Sequence, residues 1–546
     1  MTDRRLIVLG LDGLEPALFG PLLRTGLMPN LAALLRRGLH GPLMPILADC
    51  APACWASLVT GRWPDAHGVL AAREADTLNG GAKASDGASL QVPALWDWLA
   101  AAGIGSFRVG LPLNHPASGP GVCVSGAYPG AFSQGGRWDD LPPGTFSGLD
   151  ADTLDFLDEL RVHPDDIDGD TICSLLPGLA AIDAAADRRP AFVGVALARA
   201  FSLHNAATAL LERQPTASGI IRYSLPAELS RKFLAYHPPR LPAVCDADFE
   251  LYRHVISSAY RLTDMLLSRI VELAGPDAAV LMVSSHGYRL EPEFRANGMD
   301  DHESPDIRPE GWWLLAGPGI AAVPAPQQAT VLDLAPTALA ALGLAPPPEW
   351  PGRSLWPVTH ELRPCPAPPA RYTPPAESPA DAEDAQWLAQ LAAMGLTDPL
   401  AERLAADQAA AVAEQEWNRY RILMQRGEVD AAFACLNALR RSGTMALRAT
   451  LEQAGILGTL ARWNEAARLL EPLLPVLEQA DDTALRQAGL PVQLLSAERY
   501  RAGIHAILAR ARNDLAAARR HLDAVGDLPP AIPCLQKLRE ELQSSP

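Results

Sequence analysis

Short apolar runs that stop abruptly on polar or small residues set the main constraint on what this chain can fold into. Leu6-Ile7-Val8-Leu9-Gly10-Leu11 ends at Asp12-Gly13, and Ala278-Ala279-Val280-Leu281-Met282-Val283 runs into Ser284-Ser285-His286-Gly287. Ala191 to Leu197 and Trp312 to Ala316 are runs of the same kind, and a further strand is expected near Gly105 to Gly110. Apolar stretches this short, bounded by turn residues, suit strands buried on both faces, as in parallel sheets covered by helices. Helical patterns separate them. Pro29 starts a helix with Leu31, Leu34 and Leu35 that Gly38 stops, and others are expected over Val92–Leu99, Tyr252–Leu273 and Asp333–Leu342. The alternation predicts a doubly wound, mostly parallel α/β domain. Its ligand-gathering edge lies at the C-terminal ends of the strands, where Asp12 and His286 fall.

The pattern changes after residue 345. Prolines crowd the stretch from Ala345 to Pro379, which predicts an extended strap or linker. Beyond it the chain is rich in Ala, Leu, Arg and Glu and has no strand signals. The expected organisation is an α/β domain over 1–358, a Pro-rich linker over 359–380 and an all-α domain over 381–546. Gly427-Glu428-Val429-Asp430-Ala431-Ala432 and Arg462-Trp463-Asn464-Glu465-Ala466-Ala467 are alike, with a weaker echo in Asn513-Asp514-Leu515-Ala516-Ala517-Ala518. The first two lie roughly one 34-residue helical-hairpin period apart. This half resembles a tetratricopeptide-type solenoid, which implies a protein or peptide partner.

Composition narrows the function classes. The chain has 546 residues and a formal net charge of −17, without a basic cluster, which argues against a nucleic-acid partner. No apolar stretch approaches the roughly 20 residues that span a bilayer, and the N-terminal run is too short for a signal-peptide core. The eight cysteines show no C-x-x-C spacing, so they read as buried small side chains in a reducing compartment. A cytoplasmic protein with no membrane span is the expectation.

Several motifs occur in order along the first domain: Leu9-Gly10-Leu11-Asp12-Gly13, Met28-Pro29-Asn30-Leu31, a T-G-R-x-P-x-x-H-G frame within Trp55–Gly68, Val283–Gly287 and Arg308-Pro309-Glu310-Gly311. Asp333-Leu334-Ala335-Pro336-Thr337 and Gly352-Arg353 follow. Over about residues 4–356 the chain resembles the alkaline phosphatase superfamily, and within it the type I phosphodiesterase/nucleotide pyrophosphatase branch. The resemblance implies an alkaline-phosphatase-like fold and a site with two divalent metals, commonly zinc, around a Ser or Thr nucleophile. Such metals bridge phosphate oxygens and activate the nucleophile.

Carried over residue by residue, the resemblance implies a depleted site. Asp12, His204 and His286 match ligand positions, whereas Ala200, Ser285 and Ile307 stand where a carboxylate, a carboxylate and an imidazole belong. The nucleophile position is Ala51, whose methyl group cannot attack phosphorus; Cys50 beside it is the available substitute. Asp300, Asp301, His302 and Glu303 form an alternative ligand cluster, and His67 belongs to a structural turn. Two readings follow. One is a pseudoenzyme without a cofactor, acting in binding or scaffolding. The other is a phosphoester hydrolase or transferase with a rearranged centre holding one divalent metal, Zn or Mn. The Gly- and Pro-rich segment from Gly110 to Pro129 is expected to be a surface excursion near the site, and the sequence gives no reading for residues 129–190 and 205–250.

Overall fold

The computed structural model describes residues 4–47, 50–130, 141–289, 306–308, 310–320, 326–357, 361–370, 399–487, 496–526 and 533–544. They form two compact units, one of residues 1–72 and 84–376 and one of residues 73–83 and 377–546.

Nine strands among the described residues make the main sheet. In chain order they are β1 (Arg5–Leu11), β2 (Gly38–Met44), β3 (Ser106–Val109), β4 (Val122–Val124), β5 (Phe146–Ser147), β6 (Ser218–Tyr223) and β7 (Ala278–Ser284), then, past a separate antiparallel pair β8 (Gly287–Arg289) and β9 (Asp306–Arg308), β10 (Gly311–Ala316) and β11 (Ala329–Thr330). The spatial order is β11-β2-β10-β7-β1-β6-β3-β4-β5. β1 lies at the centre, parallel to β6 and β7, and β3 is parallel to β6 and β4. β10 runs antiparallel to both β7 and β2. Every residue of β1 and β7 is buried, which is why those runs carry no polar alternation.

The covering helices are α1 (Pro16–Arg24), α2 (Pro29–Leu35), α3 (Ala51–Thr60), α4 (Leu95–Ala101), α5 (Arg189–Arg213), α6 (Leu225–Phe233), α7 (Val255–Ala274) and α8 (Leu334–Ala341). Buried Arg5 ties two of them to the sheet. Its Nε donates to the Ala217 carbonyl at 2.8 Å, and its terminal nitrogens donate to Gln214 beyond α5 and to Leu273 and Ala274 in α7. A guanidinium there satisfies carbonyls that a helix end leaves without partners.

Two expectations are corrected. Ala191–Leu197 is not a strand; it lies within the 25-residue helix α5, where Val193, Leu197, Ala200, Leu203, Ala207 and Leu210 are buried at helical spacing. The run was apolar but the pattern continued far beyond strand length, and length decides between the two. The strand beside β1 is β6, inside a stretch the sequence left unread. The Gly- and Pro-rich segment from Gly110 to Pro129 is also not all surface excursion, since β4 is buried in the sheet.

Several motifs that carry the resemblance are buried polar joints. The Asp264 carboxylate on α7 accepts from the Asn30 amide N–H and side chain and from the Leu31 N–H, at 2.7–3.1 Å. It therefore holds the first turn of α2, where Pro29 has no N–H to offer. In the T-G-R-x-P-x-x-H-G frame, Gly61 ends α3 with φ 65°, and an added Cβ would lie 2.9 Å from Trp350. His67 Nδ1 accepts from the Val69 N–H, so the proton sits on Nε2, which reaches Ser57 Oγ at 2.9 Å. The Asp333 carboxylate accepts from the Thr330 and Arg353 N–H groups.

The second unit is a series of helical hairpins: α9 (Pro399–Gln425) with α10 (Val429–Ser442), α11 (Ala446–Thr459) with α12 (Trp463–Leu470), and α13 (Ala497–Ala511) with α14 (Leu515–Val525), followed by α15 (Pro533–Ser544). The three sequence echoes are one turn repeated. Gly427, Ala461 and Asn513 all adopt positive φ, between 58° and 76°. The N–H of the next residue then reaches back to the carbonyls of Leu423, Leu457 and Ala509 at 2.8–2.9 Å. These are Schellman-type helix ends, which favour glycine. The following alanines, Ala432, Ala466 and Ala518, are fully buried where the two helices meet. The short helices Leu474–Gln479 and Asp482–Gln487 stand between the second and third hairpins. Residues 73–83 cluster with this unit, where Arg73 pairs with Asp407 of α9. Among the described residues, no single helix is long and apolar enough to cross a membrane.

Two outcomes follow. Left-handed backbone costs a residue with a Cβ roughly 1–2 kcal/mol, so Ala461→Gly is expected to stabilise the helical unit by about 1 kcal/mol, read as a higher Tm. A lower Tm would contradict the turn assignment. His67 is fully buried, and desolvation pushes its pKa down to about 3. A depressed histidine supports the fold above its unfolded pKa near 6.5 and loses that support as pH falls toward 3. Between pH 7.5 and 5.5 the loss from His67 is about 1.4 kcal/mol. Urea unfolding at the two pH values should show wild type falling by that much more than His67→Gln, and equal slopes would refute the assignment.

Candidate functional site

The candidate site is built at the C-terminal edge of β1, β6 and β7. Gly10 near the end of β1 is required there, because an added Cβ would lie 2.2 Å from the Trp55 ring of α3. Trp55 thereby lies across the strand end, and its Nε1 donates to Asp12 Oδ1 at 3.2 Å. The Asp12 N–H donates to the Tyr223 carbonyl at 3.0 Å, which fixes its backbone to the end of β6. The residue before Tyr223 is Arg222. Its Nε and one terminal nitrogen both donate to Asp12 Oδ2, at 2.7 and 2.5 Å. The Asp12 side chain is 1% exposed and that of Arg222 is 21% exposed. The other Arg222 terminal nitrogen reaches the Gly110 carbonyl at 3.4 Å. Asp12 is thus engaged on both oxygens by an indole and a guanidinium.

His286 follows the end of β7. Ser284 Oγ accepts from the Leu14 N–H and donates to the His286 carbonyl, and Ser285 Oγ lies 3.0 Å from His286 Nδ1. On the other side of the ring, Nε2 lies 3.3 Å from the Tyr288 hydroxyl, which accepts from Arg231 Nε at 2.8 Å. Burial holds the His286 pKa below its ordinary value. The Asp12 charge opposes that shift, while Arg231 and Arg222 reinforce it. Asp12, Arg222, Arg231 and His286 are therefore one electrostatic neighbourhood.

His204 is placed differently. It lies in the middle of α5, with Nδ1 2.9 Å from the Tyr223 hydroxyl. Burial, then the charge of Arg269, pushes its pKa down to about 4. At neutral pH it is uncharged and shares a hydrogen bond with that hydroxyl. Ala200 is buried one helical turn earlier. The sequence reading of Ala200 and His204 presumed an element following a strand, and that premise fails. The strand that flanks β1 on the side away from β7 is β6, and after it Ala227 and Arg231 of α6 stand at the same internal spacing. Arg222, Arg231 and Tyr288 were missed by sequence reasoning. Their one signal was Arg222 closing the apolar pair Ile220-Ile221.

Ala51 is the first residue of α3, and Cys50 caps that helix with its side chain 4% exposed. Cys54 donates its thiol to the Ile46 carbonyl at 2.8 Å. Ile307 lies in β9, opposite Tyr288 of β8 in the register. Asp300, Asp301, His302 and Glu303 lie outside the described residues. Among the described residues, no group of three or more His, Cys, Asp and Glu side chains is placed to hold a metal ion.

Residues 6–199 match the model of the family described as type I phosphodiesterase / nucleotide pyrophosphatase. No curated protein matches the chain. Among solved structures, a mutant of alkaline phosphatase PafA is 10% identical with a TM-score of 0.41, over 64% of this chain and 98% of that one. A 2-O GAG sulfatase is 14% identical with a TM-score of 0.37, over 64% and 73%. Phosphonoacetate hydrolase from Sinorhizobium meliloti 1021 is 17% identical with a TM-score of 0.34, over 53% of this chain and 58% of that one. Over residues 6–199 the N-terminal unit, with its large and mostly parallel sheet, is therefore similar to the family described as type I phosphodiesterase / nucleotide pyrophosphatase.

Proposed function

We propose that the N-terminal unit is a non-hydrolytic member of the alkaline phosphatase superfamily, a binding or scaffolding domain joined to a tetratricopeptide-like helical unit that engages a protein or peptide. One observation carries the reading: the Asp12 carboxylate, the ligand position best kept in sequence, already has both oxygens bonded to Trp55 and Arg222. A catalytic divalent cation of this kind needs three or four donors from the protein. Here the neighbouring positions offer a methyl at Ala51 and a hydroxyl at Ser285, and the imidazole of His286 sits under two guanidinium charges. A donor set that already contains a bound cation does not suit a second one. Cys50 does not substitute well, since its thiol is buried at the helix start.

The helical unit supports the partner half of the proposal through its repeated hairpins, an architecture that presents extended side-chain surfaces. All eight cysteines are free, which suits a reducing compartment, and we place the protein in the cytoplasm.

The test is metal content of the purified protein, together with hydrolysis of an aryl phosphate monoester and an aryl phosphate diester under added zinc or manganese. Metal well below one equivalent and no rate above the uncatalysed reaction are expected. Near-stoichiometric metal with hydrolysis that disappears in Asp12→Ala would overturn the proposal in favour of a rearranged catalytic centre.

A further inference from the structure

A carboxylate buried to the extent of Asp12 needs a positive partner, because an isolated charge in that position is strongly unfavourable. The partner is supplied by the chain itself. Arg222 closes β6 next to Asp12 and presents the edge of its guanidinium, two N–H donors wide, to a single carboxylate oxygen. Trp55 takes the other oxygen, and its ring lies 5.9 Å from the guanidinium carbon. A guanidinium does not lose its proton in a protein, so this partner stays cationic at any pH the fold survives.

We propose that Arg222 is a tethered cation standing in place of a divalent one: it neutralises Asp12, excludes metal from it, and makes the stability of the N-terminal unit depend on an arginine rather than on an ion. The inference rests on the non-hydrolytic reading above and adds to it a reason for metal exclusion. The same lone pairs cannot serve both a guanidinium and a metal ion. Displacing Arg222 would cost its two bonds to the carboxylate, whereas keeping it leaves both Asp12 oxygens bonded. Arg231, held by the Tyr288 hydroxyl, adds a second positive charge near His286 and further disfavours an incoming cation.

The experiment is thermal unfolding of the full-length chain with and without Zn2+ or Mn2+, for wild type, Arg222→Met, and the double variant Asp12→Asn/Arg222→Met. Wild type should show no metal-dependent rise in Tm. Arg222→Met leaves a buried charge without a partner and should lose about 10 °C. Metal added in large excess should restore part of that loss, because the freed carboxylate beside His286 can then take an ion weakly, without the near-stoichiometric binding of a catalytic centre. The double variant removes both charges, should unfold close to wild type, and should not respond to metal. Should Arg222→Met fail to fold, the double variant still decides: a Tm near wild type supports the charge argument. A double variant as unstable as the single one overturns the proposal. A rise in wild-type Tm with metal, an unchanged Tm in Arg222→Met, or an equal metal response in the single and double variants overturns it as well. None of these readouts is an activity. A wild type that hydrolyses phosphoesters yet follows the expected stability pattern would sink the functional reading and leave the role of Arg222 standing.

Discussion

The buried Asp12 carboxylate is the constraint around which the first unit is arranged. It sits at the end of the central strand, with parallel neighbours on both sides, at the edge where the field of the sheet and the helix starts converge. Three elements must cooperate to keep it there. Gly10 yields space to Trp55, α3 delivers the indole, and β6 delivers Arg222. An error in any of them leaves either a clash or an unpartnered charge, each among the costlier defects a core can hold. The pair is worth little as a source of net stability compared with an apolar replacement, yet breaking it on one side is expensive. That asymmetry explains why the arrangement keeps its shape: the carboxylate and its guanidinium partner cannot be given up one at a time.

The same logic accounts for the other motifs that carry the resemblance. Asn30 and Leu31 are held by Asp264, His67 by Ser57 and the Val69 amide, and Thr330 and Arg353 by Asp333. Each motif answers a buried hydrogen-bonding demand, and the family-model match over residues 6–199 includes two of the three. Ala51, at the first position of α3, answers no such demand, since that position asks only for helical backbone.

The first unit was legible in the sequence wherever apolar runs were short and ended on a turn. β1, β7 and β10 were visible for that reason, as were α2 and α7. Two failures had distinct causes. Ala191–Leu197 carries β-branched and aromatic residues but belongs to a longer helical stripe, and judging the run without its continuation gave a strand. β6 was hidden because Ser218-Gly219-Ile220-Ile221-Arg222-Tyr223 contains only two strongly apolar residues in succession, and its burial comes from neighbours on both sides. Missing β6 meant missing Arg222, and with it the partner of Asp12. A pairwise interaction between residues 210 positions apart leaves no mark in local composition.

The helical unit was legible for the opposite reason, because its signal is local and repeated. The turn that joins each pair of helices needs one left-handed residue, then a chain direction that lets a small side chain approach the facing helix. Gly427, Asn513 and Ala461 meet the first requirement with falling ease, and Ala432, Ala466 and Ala518 meet the second identically. The small residue is the stricter condition, since a larger side chain there would push two helices apart, whereas a poor left-handed residue costs only local strain. Spacing between hairpins is freer still, as the short helices before the third one show. A repeat defined by its turn and its buried alanine therefore tolerates insertion between units, and the sequence echo weakens with spacing while the geometry that produced it does not change.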